Sequence, residues 1–115
     1  MTGYELRDTV AALGFDSAVP DDGGFFKAAN LAMMRLRTLI PVEKAIEPLS
    51  YDTLGSELGI DPCLSEAAVL LTAYYVWIED DKDKAGAYRA EYDYAVAQIM
   101  RRRKVDSPAV VTNNW

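Results

Sequence analysis

The sequence contains no histidine, so the commonest general base and the commonest metal ligand of proteins are both absent. Cys63 is the only cysteine, which excludes an internal disulfide. Because no histidine can activate its thiol, Cys63 is predicted to be a semi-buried structural residue. We therefore expect a protein that is not an enzyme and that binds no metal and no cofactor.

The sequence also lacks a long apolar run and a phosphate-binding loop. The longest apolar run covers residues 67 to 78, interrupted only by Thr72, whereas a membrane span needs about 20 residues. No basic segment followed by an apolar one opens the chain. Gly23 and Gly24 do not fit a glycine-rich phosphate loop and are predicted to form a turn. We expect a soluble protein, made in a cytoplasm, with no membrane contact.

Negative charge dominates the chain but is unevenly distributed. Residues 1 to 97 contain eight basic and 17 acidic residues, a net charge of −9, whereas residues 98 to 115 contain four basic residues and one acidic residue, a net charge of +3. An acidic body opposes general affinity for nucleic acid, because phosphate repulsion acts at long range. The uneven charge suits a protein whose basic segment meets an acidic surface, including that of another copy.

Four segments have the spacing of amphipathic or buried helices. Thr2 and Glu5 form a capping box before the first helix, and Pro41 ends the second. Met33 and Met34 in the second helix are predicted to fill the core. The predicted helices are Gly3–Leu13, Gly24–Leu39, Ser65–Glu79 and Asp83–Arg102.

The remaining segments have no helical period. Closely spaced prolines and glycines between residues 41 and 62 predict a packed, irregular segment, in which a short β-hairpin is possible. Residues 105 to 115 contain Pro108 and are predicted to be an extended tail. The sequence therefore predicts an all-α protein: a small four-helix bundle-like domain over residues 1–104, followed by an extended C-terminal tail, 105–115.

Two charged clusters have competing interpretations. The acids of residues 79 to 83 could hold calcium, but the spacing of an EF-hand is missing and lysines alternate with the acids, which favours a solvated turn between two helices. The basic residues 101 to 104 suit the negative pole of a helix C-terminus. They also suit contact with an acidic neighbouring subunit or with nucleic acid, and the sequence leaves these alternatives open.

The third helix is apolar on every side and must be covered on every side. Other helices of the chain could cover it, or a neighbouring subunit could cover one face. The aromatic residues Tyr74, Tyr75 and Trp77, the tyrosine cluster at 88, 92 and 94, and the terminal Trp115 favour a neighbouring subunit, because tyrosine and tryptophan are enriched at interfaces. Tyr75 and Tyr94 are the aromatic residues predicted to contact a partner, and burial of Tyr74 and Trp77 in the core is the alternative.

The order of these motifs resembles that of the small helical neck proteins of tailed bacteriophages, the head-tail connector or adaptor family. The chain has an opening helix that ends in ALGF, a second helix FFKAANLAMMRLRTLIP, an irregular middle, the helix LLTAYYVWIEDD with its acidic turn, and a helix of the form YxxxYxxA. The resemblance covers about 100 residues, and residues 41 to 62 contain no motif that matches.

The resemblance implies a structural role in the virion. Such proteins form a ring, usually a dodecamer, below the portal; they extend the DNA channel and present a docking surface to the next neck or tail protein. It implies that residues 105 to 115 form a docking peptide, that genomic DNA passes without specific binding, and that the chain is made in the bacterial host cytoplasm. The implied apolar anchors are Val110, Val111 and Trp115, and the implied electrostatic guide is Arg101, Arg102, Arg103 and Lys104.

Three other functions are considered. A small helical regulatory or DNA-binding module is supported by residues 101 to 104, but the acidic body and the lack of a recognisable helix-turn-helix oppose it. A tail-completion or tail-terminator subunit would be a structural phage protein of another kind. An enzyme would have only Asp80, Asp81 and Asp83 with a metal ion for its chemistry.

Overall fold

The computed structural model describes residues 1–13, 22–43 and 47–106, and this part of the chain is all-α. Within these ranges it forms four α-helices and two short 3₁₀ turns, Tyr51–Thr53 and Pro62–Leu64. The predicted fold class is confirmed. The α-helices are α1 (Gly3–Leu13), α2 (Asp22–Leu39), α3 (Ser65–Trp77) and α4 (Lys82–Asp106). The predicted turn at Gly23 and Gly24 is wrong, because both residues lie in the first turn of α2. Helix α3 ends two residues before the predicted Glu79.

The predicted capping box begins α1. The backbone N–H of Thr2 donates to Glu5 Oε1 at 3.0 Å, and the N–H of Glu5 donates to Thr2 Oγ1 at 3.2 Å. The hydrogen bond from the Thr2 backbone is the main reason why the pKa of Glu5 is lowered below its ordinary value, because it stabilises the carboxylate, and the Thr2 side chain lowers this pKa further. The prediction of this helix start is confirmed.

Helix α3 lies at the centre of the domain and is covered by the chain itself. It packs against α1, α2 and α4, and the run from Ala67 to Ala73 is buried together with Val76. Tyr74, Tyr75 and Trp77 are partly buried and pack against the same core. Three helices of the same chain therefore bury residues 67–73 and Val76 of this helix. Contact of a neighbouring subunit with the partly buried Tyr75 and Trp77 stays a prediction.

Helix α4 begins and ends outside its predicted bounds. Asp81 caps it, since the N–H of Lys84 donates to Asp81 Oδ1 at 3.1 Å. The helix continues to Asp106, four residues beyond Arg102. Pro108 is the first residue that opposes a helix, so nothing in the sequence ends it earlier. The boundary at residue 105 was wrong: the first two residues of the expected tail are helical, and residues 107–115 lie outside the described part.

The middle of the chain is clamped to α2 by side chains. Asn30 Nδ2 donates to the carbonyl of Leu49 at 3.1 Å, while Asn30 Oδ1 accepts from the N–H of Leu49 at 2.7 Å. Arg37 Nε donates to the carbonyl of Gly59 at 2.8 Å. These bonds satisfy backbone groups that a hairpin would have paired. The possible β-hairpin is not found in residues 41–43 and 47–62, where only an isolated bridge between Thr2 and Glu57 occurs.

Two of the three tyrosines of α4 belong to the core. Tyr88 and Tyr92 are buried, whereas Tyr94 is 68% exposed. The Tyr88 hydroxyl donates to the carbonyl of Leu13 at 2.6 Å, so it satisfies one of the free carbonyls at the end of α1. Burial raises the pKa of both Tyr88 and Tyr92. The interpretation of the tyrosine cluster as an interface is wrong for these two residues.

Gly3 lies where the middle segment crosses the start of α1. A Cβ at this position would lie 2.7 Å from Leu49 Cδ1 and 3.0 Å from the carbonyl oxygen of Leu54. That oxygen also accepts from the N–H of Tyr4 at 3.0 Å, which fixes the backbone of the middle segment against α1. Gly86 in α4, by contrast, has open space around the corresponding position.

Replacing these two glycines is expected to have opposite effects. Gly3→Ala should lower the free energy of unfolding by roughly 1–3 kcal/mol through overpacking, despite alanine's higher helix propensity. Gly86→Ala should raise it by roughly 0.5–1 kcal/mol, because only the propensity changes. Urea unfolding followed by circular dichroism measures both changes. Equal stabilisation by the two substitutions would contradict the close approach at Gly3.

The centre of α3 contains one buried polar side chain. Thr72 is fully buried, and its hydroxyl has no hydrogen-bond partner among the residues that the structure describes. A buried hydroxyl without a partner loses the hydrogen bonds that it makes with water in the unfolded chain.

Thr72→Val is therefore expected to stabilise the protein by about 1 kcal/mol, which raises Tm by about 4 °C in a domain of this size. The matched control is Thr72→Ser, which keeps the hydroxyl, removes a methyl group and should lower Tm. Thermal unfolding of the three proteins gives the comparison. A lower Tm for Thr72→Val would mean that the hydroxyl makes a stabilising hydrogen bond.

Candidate partner interface

The predicted electrostatic guide is on the surface at the end of α4. Arg101, Arg102, Arg103 and Lys104 are all exposed, and we call them the basic end. Their positive charge lies at the negative pole of the helix and stabilises it there. Arg103 Nη1 also lies 3.8 Å from Asp61 Oδ2, which ties the basic end to the 3₁₀ turn before α3.

The acidic turn between α3 and α4 has a structural role. The N–H groups of Asp80 and Asp81 both donate to the carbonyl of Trp77, at 3.1 and 2.9 Å, and so close the end of α3. Lys84 Nζ lies 4.0 Å from the centroid of the Trp77 ring, which places a cation on its π face. Glu79 and Asp80 remain exposed. Within the described ranges, no group of three or more acidic or cysteine side chains is arranged to hold a metal ion.

Tyr75 and Tyr94, the predicted aromatic contacts, lie on different helices and in different environments. Tyr75 is partly buried, and its hydroxyl accepts from Arg35 Nη1 at 3.2 Å. This hydrogen bond raises the pKa of Arg35. Tyr94 projects from α4. The structure therefore does not bring the two residues together into one site.

Each tyrosine lines a separate groove beside α3. The α3–α4 groove, about 580 Å³, is lined by Leu70, Tyr94 and Ile99, with Cys63, Glu66 and Arg102 among its polar residues. The α2–α3 groove, about 240 Å³, is lined by Leu31, Tyr75 and Ile78, with Lys27, Glu79 and Asp80 among its polar residues. Both grooves combine apolar and charged lining residues, a combination typical of protein interaction sites.

The exposed apolar residues of α2 were missed by the sequence analysis. Leu31 is 42% and Met34 is 63% exposed, whereas Met33 is buried. The prediction of a core position is therefore confirmed for Met33 and wrong for Met34. The buried face of α2 includes Ala32, Met33 and Leu36, and Met34 lies about 100° further round the helix, beyond the edge of that face. The available signal was that Leu31 and Met34 lie off the apolar stripe of Ala29, Met33 and Leu36.

Three of the predicted interface residues cannot be placed. Val110, Val111 and Trp115 lie outside the described residues. Of the predicted interface, the structure thus places the basic end, Tyr75 and Tyr94.

Cys63 lies in the α3–α4 groove beside the Asp61–Arg103 ion pair. Partial burial raises the pKa of its thiol, and the charge and hydrogen bond of Asp61 raise it further, while Arg103 opposes them. The N–H of Cys63 donates to Asp61 Oδ1 at 3.0 Å, and this bond is the main reason why the pKa of Asp61 is lowered. Cys63 is exposed, so the prediction of a semi-buried position is wrong. A thiol with a raised pKa is a weak nucleophile at neutral pH.

The rate of Cys63 alkylation should therefore rise with pH around a midpoint above that of an ordinary thiol. Asp61→Asn should move the midpoint down, because it removes the negative charge that opposes the thiolate. Arg103→Gln should move it up, because it removes the positive charge that favours the thiolate. Iodoacetamide labelling across a pH series measures all three profiles, and identical midpoints in the variants would contradict this electrostatic account.

None of the helices described here is long and apolar enough to span a membrane. Comparison of the chain with protein-family models, with curated proteins and with solved structures found no match. The functional conclusion therefore depends on the residues of this chain, on their geometry and on the motif order of the sequence.

Proposed function

We propose that the chain is a structural subunit of the neck of a tailed bacteriophage. Copies form a ring that docks on the portal protein, extends the DNA channel and attaches the next neck or tail component. The resemblance in motif order supports this role, and so does an all-α domain that ends in a long helix with an exposed basic end. No reaction is proposed for the chain.

The proposal is supported chiefly by one observation: the chain buries its own central helix, α3, and still exposes apolar side chains on both α2 and α4. Helix α3 is buried without help from a partner, yet Leu31 and Met34 remain exposed on α2, and Tyr94 and Met100 on α4. A ring subunit meets its two neighbours through different surfaces and needs further surface for the components above and below it. The α2–α3 and α3–α4 grooves supply two such surfaces.

Portal docking is assigned to the segment that follows α4. Val110, Val111 and Trp115 serve as apolar anchors, and the basic end steers them towards an acidic surface. Steering by exposed charges acts mainly on the association rate and weakens as salt is added.

The acidic body suits the wall of a DNA channel. A net charge of −9 over residues 1–97 repels phosphates, so genomic DNA slides through the ring without binding to it. In this role the protein is located at the head-tail junction of the virion after synthesis in the bacterial host cytoplasm. A tail-completion or tail-terminator subunit would use the same surfaces in another layer.

A second candidate function is a small helical regulatory or DNA-binding module. The exposed basic end favours it, since four adjacent cations at a helix terminus suit phosphate contacts. Coverage of α3 within a single chain also agrees with a protein that acts as a monomer. Binding to duplex DNA that weakens steeply with salt would distinguish this function from the neck subunit.

The proposed function predicts a stoichiometric complex with portal rings that depends on residues 107–115. Light scattering should give the mass of the protein alone and after mixing with candidate portal rings. A chain that ends at Asp106 keeps the whole of α4, so it should retain its helical circular dichroism while losing the portal complex. Serine at positions 110, 111 and 115 should cause the same loss, because the apolar anchors are removed.

Alanine at Thr112, Asn113 and Asn114 is the matched control, since it changes the same segment and leaves the apolar anchors intact. This variant should bind portal rings like the parent. A parent protein that ignores portal rings and binds duplex DNA would contradict the neck function in favour of the regulatory module. Portal binding that survives loss of residues 107–115 would contradict the docking role of that segment.

A further inference from the structure

The two ends of α4 have opposite charge. The turn that precedes the helix contains Glu79, Asp80 and Asp81, whereas the basic end closes it. A helix of 25 residues at about 1.5 Å per residue separates the two by about 37 Å, far beyond the reach of an ion pair within one copy. The two ends therefore cannot pair with each other within one copy, and the acid that pairs with the basic end in the same chain is Asp61, through Arg103.

The acidic turn before α4 lies beside an apolar surface, because the α2–α3 groove opens next to it. Glu79 and Asp80 form part of the lining of this groove, and Leu31, Tyr75 and Ile78 supply its apolar part. Lys27 is the basic residue of the lining. Met34, one helical turn beyond Leu31, extends the exposed apolar surface along α2. The groove therefore fits a segment that is both apolar and basic.

The basic end of α4 has this character. Met100 is 37% exposed and adjoins Arg101, and Lys104 follows Met100 by four residues. At about 100° per residue, these three side chains share roughly one third of the helix circumference. One face of the basic end thus presents an apolar side chain beside two cations, which complements a groove lined by apolar residues and by Glu79 and Asp80.

We propose that the basic end of α4 in one copy docks in the α2–α3 groove of the next copy. Met100 packs against Leu31 and Ile78, while Arg101 and Lys104 approach Glu79 and Asp80. The contact joins different surfaces of identical chains, so it is heterologous and closes into a ring when the rotation between copies allows it. The inference rests on the proposed function, because it names the surfaces through which neck subunits meet.

Charge reversal on each side tests the contact. The first variant combines Arg101→Glu with Lys104→Glu, and the second combines Glu79→Lys with Asp80→Lys. Sedimentation velocity at low salt measures the self-association of each protein alone. If the parent is monomeric in isolation, the same method measures the assembly of each protein on portal rings. Each variant should associate at least about tenfold more weakly than the parent, since like charges then meet at the rim. An equimolar mixture of the two variants should recover association, because their reversed charges are complementary.

The matched control combines Asp8→Lys with Asp52→Lys. It makes the same change in net charge as the second variant at two exposed positions that do not line the groove. This control should associate like the parent, which separates a local contact from a general effect of net charge. Circular dichroism of every variant confirms that the helices are retained.

The possible failures are distinguishable. If the parent assembles on portals and both charge-reversed variants assemble equally well, the subunit contact is wrong while the neck function stands. If the first variant loses only duplex DNA binding and keeps self-association, the basic end recognises nucleic acid and the inference is wrong. If the parent neither self-associates nor binds portal rings, the proposed function and the inference both fail.

Discussion

The rest of the structure depends on the need to cover a helix that has no polar face. Helix α3 buries side chains around its whole circumference, and burial of a large aliphatic side chain contributes roughly 1.5–3 kcal/mol. In this chain α1, α2 and α4 surround it. The irregular middle adds Leu49, Leu54 and Ile60 to the same core. Two side chains of α2 hold this segment in place by hydrogen bonds to its backbone: Asn30 both donates to and accepts from Leu49, and Arg37 donates to Gly59.

Because the chain itself covers α3, the proposed assembly is not needed to bury this helix. A subunit whose central helix needed a neighbour would fold only in the assembled state. Here α3 is buried within one copy, so the proposed partner surfaces are those where the covering helices leave gaps beside α3. The two grooves are such gaps. In the proposed contact, the basic end of α4 in one copy enters the α2–α3 groove of the next copy, beside the acidic turn. Folding and assembly can therefore be separated by surface substitutions that leave the core unchanged.

The sequence predicted local features well because they depend on neighbouring residues. The capping box at Thr2 and Glu5, the four helices and the apolar character of α3 follow from spacing alone. Features that depend on distant contacts were missed or misread. The sequence grouped Tyr88 and Tyr92 with Tyr94 as a possible interface, whereas their burial, and the hydrogen bond from Tyr88 to the end of α1, show that these two face inward. The grooves could not be predicted, since each exists only once two helices pack together in a particular orientation. The hydrogen bonds of Asn30 to Leu49 have no local signal either, because the two residues are 19 positions apart.

Hydrogen–deuterium exchange of the isolated protein tests the central claim most directly. If α3 is covered by its own chain, its amides should exchange more slowly than those of every other helix, with protection that does not change on dilution. Helix ends that are exposed, such as the last turns of α4, should exchange fastest among the helices. Rapid exchange of residues 67–76, or protection that disappears as the protein is diluted, would mean that α3 depends on a neighbouring copy and would contradict the account.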